Sequence, residues 1–236
     1  MSDRTGSQSG GKQRRAEVVY QRLRAEIFNG SLAPGQRLKF PDLCANYGIS
    51  VGVAREVLTR LAAERLVVPQ AHQGYTVIEL SEAELTDLTT ARIHLESLVF
   101  AESVRNGDTA WEANVLGAHH LLAGTELPTD MGSEAMQEWS RVHEAFHRAL
   151  LAACPSARLQ EIAGTLRSET ELYRRWAGQF GNEPDRNLAA EHAALAEAAL
   201  ARDPERSAEL LRDHIAHTTQ VLLSGVDSAD QAPSDR

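Results

Sequence analysis

The chain reads as mostly α: an N-terminal winged helix-turn-helix followed by an antiparallel six-helix bundle. Three observations predict this. Apolar residues recur at helical spacing along most of its 236 residues. Two short helical stretches meet at Gly48-Ile49-Ser50 and lead into two β-rich runs. From Ser81 onward, long helical stretches follow one another across short breaks marked by Gly or Pro.

Residues 1–12 are polar and Gly/Ser-rich, and are expected to be a disordered tail. A first domain spans 13–80. Its opening helix, about Arg14 to Asn29, carries Val18, Val19, Leu23, Ile27 and Phe28 at helical spacing and stops at Asn29-Gly30. Pro41 opens a short helix through Tyr47, since proline costs no hydrogen bond in a first turn. Gly48 closes it, and Ser50 is a good N-cap for a third helix to about Ala63. Leu66 to Pro69 and Tyr75 to Ile78 then read as a hairpin joined by Gln70 to Gly74, the wing. The second domain spans 81–223. Ser81 with Glu84 makes a capping box for a helix running to Asn106-Gly107. Five more helices follow: Thr109–Ala123, Ser133–Ala153, Ser156–Gln179, Arg186–Ala201 and Pro204–Leu223. Pro128, Gly132, Pro155, Gly181, Pro184 and Pro204 mark the breaks, and 224–236 is a polar tail.

Composition narrows the class. Hydrophobic content of 42% and charge of 24% are those of a soluble globular protein, and aromatics are scarce at 5%. Cys44 and Cys154 lie far apart, which argues against a disulfide framework or a cysteine metal site. No signal peptide and no membrane span are evident, so a cytoplasmic location is expected. The net charge of −9 is unevenly spread. Residues 1–80 hold 11 Lys+Arg against 7 Asp+Glu, and the remainder holds 13 against 26. A polyanion would be repelled by the second part and not by the first.

The first domain also resembles a known family. Leu23 to Ile27, Gly30 to Leu38, Ser50 to Leu58, Leu61, Glu64 to Val67 and Gly74 to Val77 are similar to the N-terminal domain of GntR-type bacterial transcription regulators. That family usually reads S-R-T-P-V-R-E-A-L at the recognition helix. Here Ser50-Val51-Gly52-Val53-Ala54-Arg55-Glu56-Val57-Leu58 keeps the second arginine and loses the first. The helix N-terminus would enter a major groove, its N–H groups and the Ser50 hydroxyl on a phosphate. Arg55 reaches a guanine edge or phosphate, and Val51, beside Gly52, reads a thymine methyl. Lys39 contacts a phosphate, and Gly74 brings the wing backbone close to the minor groove. The bland alternative for Arg55 is a surface salt bridge with Glu56 or Glu64.

In the second domain four histidines fall on core-facing stripes. Met136, Ser140, His143, His147, Leu150 and Cys154 form one; Leu188, His192, Leu195 and Ala199 a second; Leu211, His214, Thr218 and Val221 a third. A lone histidine on such a face is usually a hydrogen-bonded core residue. Four on three helices point to a divalent metal: zinc, with nickel or another transition ion as the alternative. His119, His120 and His217 read as surface residues, and His94 is ambiguous. His143-Glu144-Ala145-Phe146-His147 also matches the H-E-x-x-H of zinc metallopeptidases. The metzincin continuation is missing, although Glu161 or Glu169 could supply a third ligand.

Residues 81–222 resemble the all-helical FCD effector domain of the FadR-like branch. Arg92 and Glu96 match its first-helix element, and His143/His147, Glu191-His192 and His214 match its metal positions. The resemblance implies a divalent ion bound by these four side chains, with His143 standing where aspartate is usual. Four neutral imidazoles leave the ion's charge uncompensated. A small organic or sugar acid would offset it, with Arg92 gripping the same carboxylate. The expectation is a homodimeric, non-enzymatic regulator, a repressor, on a pseudo-palindromic double-stranded operator. A metal sensor in which the ion is itself the signal is the alternative, and the zinc peptidase a weaker one.

Overall fold

A computed structural model describes residues 5–70, 74–79, 81–129, 133–176 and 186–230. The chain divides into two compact units, Met1–Leu80 and Ser81–Arg236.

In the first unit the order is α1 (Thr5–Phe28), β1 (Arg37–Leu38), α2 (Phe40–Tyr47), α3 (Val51–Ala63), β2 (Val67–Gln70) and β3 (Gly74–Val77). Ala16, Leu23, Ile27, Val57, Leu58, Leu61 and Leu66 are fully buried and form its core. The turn between α2 and α3 is built as the residue types dictate. Gly48 takes the left-handed conformation (φ 60°) and its N–H reaches the Cys44 carbonyl. The Ser50 hydroxyl oxygen accepts from the Val53 N–H at 3.4 Å. Three antiparallel strands make the sheet in the order β1-β3-β2, with Val67 opposite Val77 and Leu38 opposite Tyr75. Strand β1 was not expected, because two residues carry no readable alternation. Gly74 has φ 93°, and a Cβ there would lie 2.5 Å from the Leu38 carbonyl oxygen. Glycine is therefore required by the sheet itself. The hairpin connection 71–73 lies outside the described residues. Helix α1 starts at Thr5, so most of the segment expected to be disordered is helical. Once the buried turns of α1 are nucleated, each added residue gains a hydrogen bond at little further cost.

The second unit holds α4 (Glu82–Asn106), α5 (Thr109–Ala123), α6 (Glu134–Leu151), α7 (Ala157–Trp176), α8 (Leu188–Leu200) and α9 (Pro204–Asp230). Side-chain caps set four of the starts. Ser81 accepts from Glu84 N–H, Asp108 from Trp111, Ser133 from Met136 and Asn187 from Ala190. The core joins Phe100 of α4, Val115 of α5, Phe146 and Leu150 of α6, Leu195 of α8 and Leu211 of α9. Truncating either phenylalanine to alanine would cost about 3–5 kcal/mol. Trp111 donates its indole N–H to the Ala149 carbonyl at 2.8 Å, tying α5 to α6. The expected end of α7, residues 177–179, and the expected breaks at Gly132, Gly181 and Pro184 lie outside the described residues. Helix α9 continues to Asp230, beyond the boundary expected at 223. Among the described residues no helix is long and apolar enough to cross a membrane.

Candidate functional site

The three histidine stripes meet. His143 and His147 on α6, His192 on α8 and His214 on α9 are all buried, with one ring nitrogen of each lying within 4.8 Å of the others. Nε2 of His143 and Nε2 of His147 are 3.2 Å apart. Ring centroids of His192 lie 5.0 Å from His143, 5.4 Å from His147 and 5.0 Å from His214. Nitrogens around a tetrahedral zinc at ~2.0–2.1 Å stand ~3.3 Å apart, so small ring rotations suffice to close the set on an ion.

The surroundings orient the rings for that task. Glu191 accepts a hydrogen bond from His214 Nδ1–H at 2.7 Å, which leaves the Nε2 lone pair for a cation. Glu191 is in turn held by Arg186 Nε and Nη2 at 2.8 and 2.7 Å, and Arg186 also donates to Thr218. Burial alone would raise the Glu191 carboxyl, but Arg186 and His214 hold it far below the usual carboxylate range. Trp139 stacks on His143 with centroids 4.6 Å apart and planes 17° from parallel. Burial drives all four imidazoles toward the neutral, ligating form. It lowers His192 to about 2, and it lowers His143 and His147 with help from Arg174 and Arg167 respectively. In His214 burial prevails over Glu191, which pulls the other way. His192 Nε2 is buried and has no hydrogen-bond partner among the described residues. A bound ion would satisfy that orphaned nitrogen, so the residues present fit a metal.

Arg92 lies where the sequence placed it, beside the histidines. Its Nε donates to Glu96 at 2.6 Å and its Nη1 to Thr170 at 3.2 Å. Two residues of this site were missed. Arg167 and Arg174 of α7 are buried and line the same small cavity as Arg92, His143, His147 and His214. Arg167 donates to Glu96 at 3.1 Å and to Glu144 at 3.0 Å. Arg174 pairs with Glu171, and its Nη1 lies 3.1 Å from His143 Nδ1. Burial tends to raise the fully buried Glu96, yet Arg92 and Arg167 outweigh it and keep the carboxylate ionised. The signal was present: Ala163, Arg167, Thr170 and Arg174 fall at helical spacing and are all buried.

Glu144 of the H-E-x-x-H string is committed to Arg167, and neither Glu161 nor Glu169 joins the histidine group. Of the other histidines, His94 and His120 are exposed. His119 and His217, expected at the surface, are only half exposed. His119 packs on Phe146 with centroids 5.5 Å apart, and His217 Nδ1 lies 3.4 Å from Glu191.

In the first unit, Val51, Gly52 and Arg55 are exposed along α3, and Lys39 is exposed just ahead of α2. Arg55 sits over the Phe40 ring at 5.1 Å, and Phe40 meets Tyr75 of β3 edge-on. Neither Glu56 nor Glu64 holds Arg55; Glu64 is engaged by Arg24 and Tyr20. Lys39, Arg55 and Gly74 line one concave surface, together with Arg37, which sequence reasoning did not single out.

Two family models cover nearly all of this architecture. Residues 15–77 match the gntR family of bacterial regulatory proteins, and residues 87–217 match the FCD domain. The chain is 41% identical over 207 residues to the uncharacterized HTH-type transcriptional regulator BphR of Paraburkholderia xenovorans (strain LB400), covering 87% of this chain and 84% of that protein. It is 35% identical over 199 residues to the HTH-type transcriptional repressor GlaR of Escherichia coli (strain K12), covering 83% and 90%. The solved structure of E. coli McbR/YncC superposes with a TM-score of 0.71 at 21% identity, covering 89% of this chain and 97% of that one. These matches are to transcription regulators, and the hydrolytic reading of the H-E-x-x-H string is set aside. With a helix-turn-helix, a wing and an FCD bundle in this order, the chain belongs to the GntR family of DNA-binding transcription regulators.

Proposed function

We propose that the chain is a homodimeric cytoplasmic repressor that senses a small organic or sugar acid through a divalent ion held by His143, His147, His192 and His214. The observation that carries this is the buried four-imidazole group with its orphaned His192 Nε2. When bound, the ion would supply a Lewis-acidic site for a carboxylate. Zinc suits four imidazoles, as do nickel and other transition ions. Glu191 keeps His214 in the ligating tautomer, and burial keeps the other rings deprotonated. Arg92, fixed by Glu96, offers its guanidinium to the same carboxylate. On the DNA side, Arg55 and Val51 read bases while Lys39, Ser50 and the helix N-terminus around Gly52 hold phosphates. Gly74 lets the wing backbone come close to the duplex. Two such heads fit a pseudo-palindromic operator. Effector binding lowers operator affinity by population shift.

One observation favours the second reading, in which the ion alone is the signal. The cavity measures about 10 Å³, room for a single water-sized sphere. Operator binding, followed by fluorescence anisotropy, separates the two. Metal-stripped protein is titrated with zinc, and then zinc-loaded protein with carboxylic acids. Release by acids only in the loaded form supports the effector reading. Release by zinc alone supports the metal sensor, and acid release that is equal without metal removes both.

A further inference from the structure

One arginine on the concave surface of the first unit is held differently from the others of its kind. Among the described residues Arg22, Arg24, Arg60, Arg202 and Arg55 each sit over an aromatic ring. The first four also pair with a glutamate, at 2.6–3.1 Å. Arg55 alone has neither an ion pair nor a side-chain hydrogen bond among the described residues, and no carboxylate lines the surface it faces. Its guanidinium carbon stands 5.1 Å from the Phe40 centroid. Phe40 in turn meets Tyr75 edge-on, with centroids 6.3 Å apart and planes at 90°.

The difference matters for reading DNA. A guanidinium over a ring is attracted by the ring's quadrupole and uses none of its N–H groups to be held. The contact therefore restrains the side chain and leaves all five donors available. A glutamate in place of the ring would restrain it as well, but would occupy the fork that guanine O6 and N7 must receive. Phe40 opens α2, Arg55 lies one turn into α3 and Tyr75 belongs to β3, so the stack joins helix-turn-helix and wing at one point. Arg37 and Lys39, exposed on the same surface, are cations for the phosphates, which carry no sequence information. An unrestrained arginine loses rotamer freedom when it docks, and the stack removes part of that cost beforehand.

We infer that Phe40, backed by Tyr75, is the positioning residue for Arg55 and thereby sets the strength of one guanine preference in the site each head reads. This rests on the reading of Arg55 as a base contact. The test is selection of sites from a randomised duplex pool by the full-length chain, sequenced to give base preferences at every position. Arg55→Gln, whose amide fits adenine, marks the position by shifting it from guanine towards adenine. Phe40→Leu lowers the ratio of guanine to the next base there about two- to fivefold, the worth of an exposed ring–guanidinium contact, and leaves other positions unchanged. Phe40→Tyr, which keeps the ring, keeps the ratio, and Tyr75→Leu lowers it by less. An unaltered ratio in Phe40→Leu, an equal drop in Phe40→Tyr, or a loss spread evenly over all positions overturns the positioning role and leaves Arg55 as the reader. A guanine that Arg55→Gln does not move overturns both. Should Phe40→Leu not fold, Phe40→Tyr and Tyr75→Leu decide the matter.

Discussion

Replacing His143 with aspartate tests the charge argument most directly. The ring it removes is 2% exposed, lies 3.2 Å from His147 Nε2 and is stacked on Trp139. The substitution puts a formal negative charge on the same ion that would hold the effector carboxylate. Two such charges ~4 Å apart at an effective dielectric of 20 repel by ~4 kcal/mol. Arg174, beside position 143, would form a charge-assisted hydrogen bond with the new carboxylate that offsets about 2 kcal/mol of that. The remaining ~2 kcal/mol corresponds to roughly 30-fold weaker acid binding. Zinc itself should be held at least as tightly, since an anionic ligand replaces a neutral one. Acceptance of manganese should rise, because carboxylates favour harder ions. Calorimetry of zinc-loaded wild type and His143→Asp, using the acid that binds best, gives both numbers. Undiminished acid affinity in a variant with full zinc occupancy would refute the view that the ion's uncompensated charge recruits the ligand.

Other outcomes follow from the same geometry. Glu191→Gln, which removes the charge that orients His214 and anchors Arg186, should weaken zinc binding about 10- to 100-fold in a chelator competition, and an unchanged constant would deny Glu191 its positioning role. Arg55→Ala should abolish operator binding in an anisotropy assay while far-UV circular dichroism is unchanged; retained binding would remove Arg55 from the interface. In metal-free protein the four imidazoles have folded-state values below their unfolded ~6.5, so below that pH the unfolded chain takes up protons that the native state refuses. Their contribution is thus fully present above pH ~6.5 and lost as pH falls, by up to about 1.4 kcal/mol per pH unit per histidine. Melting temperatures measured from pH 7.5 to 5.5 should fall accordingly, and a flat profile would show that the rings are not buried and neutral.

Much of this could be read from residues alone, for identifiable reasons. The helices of the second unit follow from long 3.6-periodic stretches with strong caps at Ser81 and Ser133. The histidines were found because each interrupts an apolar stripe, so burial and chemistry were implied together. Arg167 and Arg174 were not, since α7 carries Glu161, Glu169 and Glu171 among its arginines and looks like a solvated, salt-bridged face. Only packing against α4 turns that face inward, so the helical spacing of Ala163, Arg167, Thr170 and Arg174 reads as a core stripe only once that packing is known. Strand β1 escaped because two residues cannot display an alternation, and Gly74 carried a second requirement, clearance from Leu38, that only the sheet register reveals.

The indole of Trp139 lying flat against His143 gives the molecule a built-in optical gauge. Any event that changes the electron density or tilt of that ring should alter the emission of its neighbour. Occupancy of the centre can then be followed in solution, without a dye or a radiolabel, by watching the protein's own fluorescence.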